Sequence, residues 1–354
     1  MVIAPLAADR EAGLRALLDT MNLNPGKTEF ADAEHDQIRR DVSRARAEDN
    51  LTEAEVSRRA EVAAGTLNSY LKGRYTGNND PVAVALHRWL QSRRVSEELR
   101  QRLPRAPSFQ PLATSRMIHQ RIHYARAMGR IVLIAGVPGV SKTASASQYR
   151  ADTPRTWMAT MEQASRGLPT MLLEILDAMG MTEERGTPQQ LMRKIVAKGV
   201  EAEGVLLIDE AQHLSDQAID QLRAINDKTR QLGRPLGIVM LGNEALYTKI
   251  GPTGSKAAFA QVSRRVAVRK YIIQPAREDV VALSHAWAAA NQEVLTARDV
   301  EFLVEIAMKP GGLGNVEMTF EGALLAAFGT NEPLSLDHLQ GAFSSIADHG
   351  RLAA

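Results

Sequence analysis

The 354 residues contain no cysteine, which excludes disulfides and thiolate metal sites. Long apolar runs are missing too. No stretch approaches the roughly 18 residues that a membrane-crossing helix needs, so no membrane partner is expected. No secretory leader is legible, because Asp9, Arg10 and Glu11 interrupt the first apolar stretch almost at once. These absences fit a cytoplasmic protein. Acidic residues are scarce in one region: between Leu86 and Arg130 there are ten arginines but only two acids, Glu97 and Glu98, in a chain whose net charge is +2. Such a block is either an electrostatic footprint for nucleic acid or a set of solvated helix faces, and charge alone does not choose between them.

What is present has an ordinary globular balance, 44% hydrophobic and 24% charged, over a length that suggests two or three domains. The most informative stretch is Ile-Val-Leu-Ile-Ala-Gly-Val-Pro-Gly-Val-Ser-Lys-Thr, residues 131–143. An apolar, β-branched run predicts a buried parallel strand, and the glycine-containing loop after it closes on Lys142 and Thr143. In this arrangement the loop's backbone N–H groups and the N-terminus of the following helix surround phosphate oxygens. The candidate nucleotide-binding set is Gly136, Val137, Pro138, Gly139, Val140, Ser141, Lys142, Thr143 and Ala144. Lys142 is expected to reach the β- and γ-phosphates of ATP, and the Thr143 hydroxyl to hold Mg²⁺. Ser141 stands where the pattern G-x-x-x-x-G-K-[ST] has its last glycine, a substitution that strains the loop or crowds the nucleotide.

Downstream, strand and helix signals alternate, which predicts a parallel sheet covered by helices. Arg155 to Ala159 reads as one short strand, and Leu168 to Met179 as a helix. Gly-Val-Leu-Leu-Ile-Asp-Glu, residues 204–210, is another apolar strand that delivers two acids at its end. It lies about 70 residues beyond the phosphate loop, the order expected of a phosphate-loop ATPase. Asp209 is expected to support the Mg²⁺ shell and Glu210 to orient or deprotonate the attacking water. A third strand, Leu236 to Leu241, ends at Asn243, whose amide can position water. Arg264 and Arg265 precede a strand over Lys270 to Ile273. One of them is a candidate arginine finger for a neighbouring subunit; a DNA-facing or solvated basic turn is the alternative.

The N-terminal part is helical in pattern. Leu14, Leu17 and Leu18 are spaced for a helix before Asn24-Pro25-Gly26, and Ile38 to Ala47 is charged and helix-compatible. In residues 51–75, Thr52 and Glu55 predict a capping box. A turn near Val62–Ala64 leads into a helix from Gly65 to Lys72 that ends at Gly73. This stretch resembles the DNA-binding domain of the phage-repressor (lambda-repressor-like) family. The resemblance implies that Thr66, Asn68, Ser69 and Lys72 face DNA and Val56, Val62, Leu67 and Leu71 form the core, with Arg74 and Tyr75 near phosphates. A bare helical hairpin is the alternative. A helix from Val82 to Trp89 completes the segment, and three prolines between Leu103 and Pro111 mark a linker. A basic amphipathic helix, Ser115 to Met128, then leads into the phosphate-loop strand.

The phosphate loop, Leu207–Leu214, Leu222–Asp227, Val239–Asn243 and the Ser263-Arg-Arg turn together resemble the AAA+ ATPases. Within that class they resemble the MuB-type and TnsC-type transposition ATPases, over residues 113 to about 335. The resemblance implies Asn243 as the sensor-1 residue and Arg264 or Arg265 as the finger. Gly311-Gly-Leu-Gly-Asn315 has no arginine at the sensor-2 position, a departure from many AAA+ proteins. The expected fold is α/β: an AAA+ core at 113–276, after a helical segment at 1–50, a helix-turn-helix domain at 51–100 and a linker at 101–112. An all-α lid at 277–354 completes it, with helices at Glu278–Asn291, Thr296–Met308, Asn315–Ala327 and Leu336–Ala347 and with Trp287 and Phe302 in its core.

By resemblance, the expected function is ATP-dependent, largely sequence-independent assembly on double-stranded DNA, as filaments or rings, with activation of a transposase. Filament contacts are assigned by position to Arg155, Arg166, Lys228 and Arg230. A helicase loader and an ATP-switched helix-turn-helix repressor remain alternatives.

Overall fold

Three strands of the central sheet are dominated by Ile, Val and Leu with every residue buried, as strands covered on both faces require. They are β1 (Ile131–Gly136), β3 (Val205–Asp209) and β4 (Gly237–Gly242); β2 (Thr156–Thr160) and β5 (Val266–Ile272) lie at the edges. The strand order is β2-β3-β4-β1-β5, and all four pairings are parallel. This is a computed structural model, and it describes residues 28–250 and 260–352. The expected pattern of Leu14, Leu17 and Leu18 lies outside the described residues.

Alternation along β1 builds two cores. Ile131 and Leu133 pack on one face with Leu172, Ile175, Ile195 and Ile219, whereas Val132 and Ile134 face Ile118, Ile122 and Tyr149. Burying each such aliphatic side chain stabilises the fold by about 1.5–3 kcal/mol. The first face is covered by α7 (Leu168–Ala178), α8 (Pro188–Ala202) and α9 (Asp216–Gln231); the second by α5 (Ala113–Met128) and α6 (Lys142–Asp152). Helix α8 was not anticipated from sequence. A Thr187–Gln190 capping box with Pro188 in the first turn starts it, and Leu191, Met192, Ile195 and Val196 line its buried face.

Contacts divide the chain into two compact units. One comprises residues up to Pro104 with Gly322–Leu334, and the other Arg105–Glu321 with Ser335–Ala354. In the first unit lie α1 (Asp32–Glu48), α2 (Glu53–Arg59), α3 (Ala64–Leu71) and α4 (Asp80–Arg102). Thr52 caps α2 with both bonds of the capping box formed. Val56, Val62 and Leu67 are buried, and Leu71 is half-buried against their cluster. Tyr70 is fully buried as well; its hydroxyl lies 2.9 Å from His35 Nδ1, and burial pushes its pKa up to about 12. Helix α4 continues well past Trp89, because Pro81 sits in its first turn and the next proline is Pro104.

In the second unit, α10 (Glu244–Ile250) and α11 (Ala260–Arg265) precede β5, which begins four residues earlier than the sequence suggests. The helices α12 (Arg277–Ala290), α13 (Ala297–Ala307), α14 (Leu313–Thr330) and α15 (Leu336–Leu352) follow, with the part of α14 from Gly322 on counted in the first unit. Trp287 is buried and stacks on Phe320 with ring centroids 5.8 Å apart. Phe302 is half-buried, edge-on to Phe343. Asp279, 1% exposed in the first turn of α12, accepts hydrogen bonds from Ala113 N at 2.7 Å and Thr114 N at 3.1 Å. It therefore caps α5, so the sequence segment after 276 is stitched to the helix that opens the core.

Candidate active site

Parallel strands deliver their C-terminal ends to one edge of the sheet, and the candidate residues collect there. β1 ends at Gly136, where a Cβ would lie 2.5 Å from Ile272 O, so only glycine allows β5 to approach this closely. Gly139 has φ +73°, and a side chain there would collide with the backbone of Gly311. Leu313 N donates to Gly139 O at 2.8 Å, which holds the loop against the start of α14. Ser141 has φ 57° and ψ 22°, left-handed backbone that a glycine would occupy without strain. The expected strain at this position is therefore present.

Helix α6 starts at Lys142, so its free N–H groups face the loop. Lys142 Nζ donates to Gly136 O at 2.9 Å and Val137 O at 2.8 Å. Burial pulls its pKa below the usual lysine value, and the charges of Glu210 and Asp209 oppose that pull. Thr143 Oγ1 donates to Asp209 Oδ2 at 2.8 Å, and Asp209 is 1% exposed. Its other oxygen, Oδ1, is buried with no hydrogen-bond partner among the described residues. Burial raises the Asp209 pKa above the usual carboxylate value, while the Thr143 hydrogen bond works against the rise. Buried carboxylate oxygens are rarely left unpaired, and this one lies on the carboxylate that also holds the Thr143 hydroxyl.

Glu210 follows β3 with φ 52° and starts a one-turn 3-10 helix, Ala211–His213. Its carboxylate accepts a hydrogen bond from Gln212 Nε2. Gln212 Oε1 in turn accepts from Asn243 N at 3.3 Å, so one amide bridges the end of β3 to the end of β4. The sequence reading missed Gln212. Its signal was its place two residues after Glu210, where a tight turn folds the side chain back. Asn243 Oδ1 accepts from Ala245 N at 3.0 Å and so is engaged at the start of α10.

The basic candidates are dispersed. Arg265 Nε pairs with Asp227 Oδ1 at 3.0 Å, and Asp227 also accepts from Arg223 Nη1 at 2.8 Å. Arg264 is exposed at the end of α11. Arg155 precedes β2 and Arg166 follows it, at opposite ends of a five-residue strand that spans about 16 Å. Arg230 Nη2 donates to Gly129 O, just ahead of β1, so the last turns of α9, with exposed Lys228, share the end of the sheet that carries Arg155. Arg166 thus stands apart from Arg155, Lys228 and Arg230. On α3, Thr66, Asn68 and Ser69 are half-exposed; Lys72 and Arg74 beyond them are exposed, and Tyr75 packs against the helical core.

Beside the phosphate loop is a cleft of about 400 Å³. Pro107, Phe109, Leu283 and Leu313 form its apolar walls, and Gly139, Ser141 and Ala144 its floor. Glu317 and Glu321 line it from α14.

A phosphate loop on a central strand, with an Asp–Glu pair two strands away on a β2-β3-β4-β1-β5 sheet, defines an ATPase of the AAA+ class. The AAA domain family model matches residues 126–250, and the model for the Mu B transposition protein, C terminal, matches residues 264–346. ATP-dependent target DNA activator B of Escherichia phage Mu is 28% identical over 285 residues, 80% of this chain and 87% of that protein. Mu-like prophage FluMu DNA transposition protein B of Haemophilus influenzae is 27% identical over 77% of this chain and 92% of its own length. The ORC2 protein of Aeropyrum pernix, solved in ADPNP–ADP complexes, shares the fold with a TM-score of 0.53 at 14% identity, covering 68% of this chain and 69% of that one. The chain is thus similar to the Mu B transposition proteins, with an AAA domain followed by a stretch that the Mu B C-terminal model matches, and is an ATPase. Among the described residues no helix is long and apolar enough to cross a membrane.

Proposed function

We propose that this ATPase assembles on duplex DNA in its ATP-bound state, presents that DNA as a target to a transposase, and disassembles on hydrolysis. The relatives' printed role, target DNA activation dependent on ATP, supports the biological setting. The observation that carries the chemistry is the Thr143–Asp209 hydrogen bond with Asp209 Oδ1 left unpaired beneath the phosphate loop. Two hard oxygen donors side by side fit a Mg²⁺ ion. A Mg²⁺ ion held by Thr143 and Asp209 would supply charge neutralisation for the nucleotide's phosphates.

The chain's own groups do the rest. Lys142 exchanges its two loop carbonyls for phosphate oxygens. Glu210, once free of Gln212, orients water and takes its proton. Asn243, whose Oδ1 is engaged by Ala245 N, has its amide nitrogen to offer. Arg264, exposed at the end of α11, is the better finger candidate for a neighbouring subunit, since Arg265 is tied to Asp227. A ring or filament built this way would read DNA chiefly through phosphates, so binding is sequence-tolerant and weakens steeply with salt. Arg155, Lys228 and Arg230 share one end of the sheet and can act together in that contact; Arg166 would need a separate one. The segment around α2 and α3 supplies a second DNA contact, a helix-turn-helix with Thr66, Asn68, Ser69, Lys72 and Arg74 toward DNA.

The test is ATP turnover with and without random-sequence duplex, with electron micrographs of the same samples and the Lys142→Ala variant in parallel. DNA-stimulated turnover with ATP-dependent assemblies, both lost in Lys142→Ala, is the expected result. Nucleotide binding without turnover or assembly would sink the proposal.

A further inference from the structure

Ser141 combines two unfavourable features in one loop residue. Its backbone is left-handed, where a Cβ is strained and glycine is not. Its Oγ is buried and has no hydrogen-bond partner among the described residues, although a buried hydroxyl normally finds one. The backbone cannot relieve the first, because Ser145 N donates to Ser141 O at 2.9 Å as the first turn of α6. Among the described residues no group satisfies the second. Yet Ser141 lines the same cleft as Gly139 and Ala144, immediately before Lys142. A residue strained and unpaired in the ligand-free protein, on the wall of a ligand cleft, is satisfied when the ligand supplies the missing acceptor.

A hydroxyl carries one donor and two acceptor sites. The groups that a phosphate loop brings to this place are anionic oxygens, which accept only. We infer that Ser141 Oγ is a phosphate-binding donor of this loop: it hydrogen-bonds an oxygen of the nucleotide's phosphate chain, a contact that glycine at this position cannot make. The serine therefore exchanges stability of the empty loop for affinity in the loaded one, rather than crowding the nucleotide out. The inference rests on the loop and cleft being the nucleotide's seat.

The test uses the full chain and two variants, Ser141→Gly and Ser141→Ala, with thermal unfolding as one readout and equilibrium binding of ATP and of inorganic tripolyphosphate as the other. Both variants remove the unpaired hydroxyl, and Ser141→Gly also removes the backbone strain. Unfolding temperatures without ligand should therefore rise, by about 2–4 °C in Ser141→Ala and further in Ser141→Gly. Both variants should bind ATP and tripolyphosphate about tenfold more weakly, the range of a hydrogen bond to a charged group. Opposite movements of empty-state stability and phosphate affinity are what a merely structural serine would not give.

Unchanged or tighter binding in both variants overturns the inference, and tighter binding in Ser141→Gly would show that the hydroxyl crowds the ligand. Weaker ATP binding with unchanged tripolyphosphate binding also overturns it, by moving the contact to the ribose or base. Lys142→Ala in the same assay separates the two levels. If the unmodified protein binds neither probe, or binds them equally well after Lys142→Ala, the nucleotide site itself has been misplaced.

Discussion

Asp209→Asn tests the physical account of the acidic site most directly. Asp209 is 1% exposed, one oxygen holds Thr143 Oγ1 at 2.8 Å, and the other has no partner. Asparagine keeps the shape and can still accept from Thr143; its amide leaves a neutral N–H₂ where the unpaired oxygen was, but it buries no charge. An unsatisfied buried polar group costs about 1–3 kcal/mol and a charged one more, so exchanging the charged oxygen for a neutral amide relieves about 1–2 kcal/mol. At about 2–4 °C per kcal/mol for a unit of this size, the ligand-free unfolding temperature should rise by about 2–8 °C at pH 7.5. The pH dependence follows from the raised pKa. A carboxyl whose pKa is higher folded than unfolded binds its proton more readily in the native state, so its contribution to stability falls as pH rises. The fall begins near the unfolded carboxylate pKa, about 3.9, and ends above the folded one. Differential scanning fluorimetry of both proteins from pH 4 to pH 8 should therefore show curves that converge in acid and diverge toward neutrality, with Asp209→Asn above. The added stabilisation by Mg²⁺ with ATP should be largely lost in the variant. A variant less stable than its parent at pH 7.5, with native circular dichroism, would refute the reasoning, because Asp209 would then be satisfied in a way its geometry does not show.

Gln212→Ala frees the Glu210 carboxylate from a hydrogen bond, so turnover without DNA should rise about two- to tenfold, measured by phosphate release; a fall would mean that the amide positions Glu210 for the reaction. Gly139→Ala places a Cβ against the Gly311 backbone at φ +73°, and should cost more than about 1 kcal/mol in a urea titration while breaking the Leu313 N to Gly139 O contact. Asp279→Ala removes two backbone hydrogen bonds at the start of α5 and should lower the unfolding temperature by about 2–8 °C, from a cap worth about 1–2 kcal/mol. An unchanged temperature would deny Asp279 its capping role.

What was legible beforehand was local. The apolar runs of β1, β3 and β4 are legible because strands buried on both faces need no polar alternation. The Thr52–Glu55 capping box is legible because both partners lie within one helical turn. Strand ends named the loop, Lys142, Thr143 and the Asp209–Glu210 pair. Helix α8 escaped because its apolar positions carry no chemistry to draw the eye, and the length of α4 escaped because beyond Leu90 only Val95 and Leu99 are apolar, too few to show a helical stripe.

The order of the strands, and with it the meeting of Thr143 with Asp209 across 66 positions of sequence, was settled only in three dimensions. So was the bridge from Glu210 through Gln212 to Asn243, which exists because β3 and β4 are neighbours. Tertiary structure also separated Arg166 from Arg155, Lys228 and Arg230, since a strand between two loop residues sends them to opposite ends of the sheet. The same holds for the acids of α14 beside the phosphate loop. Sequence by itself determined which groups carry the chemistry, because strand patterns and loop glycines act over a few residues. Which of them meet, and which are left unpaired in the empty site, depends on contacts between segments that no local pattern encodes.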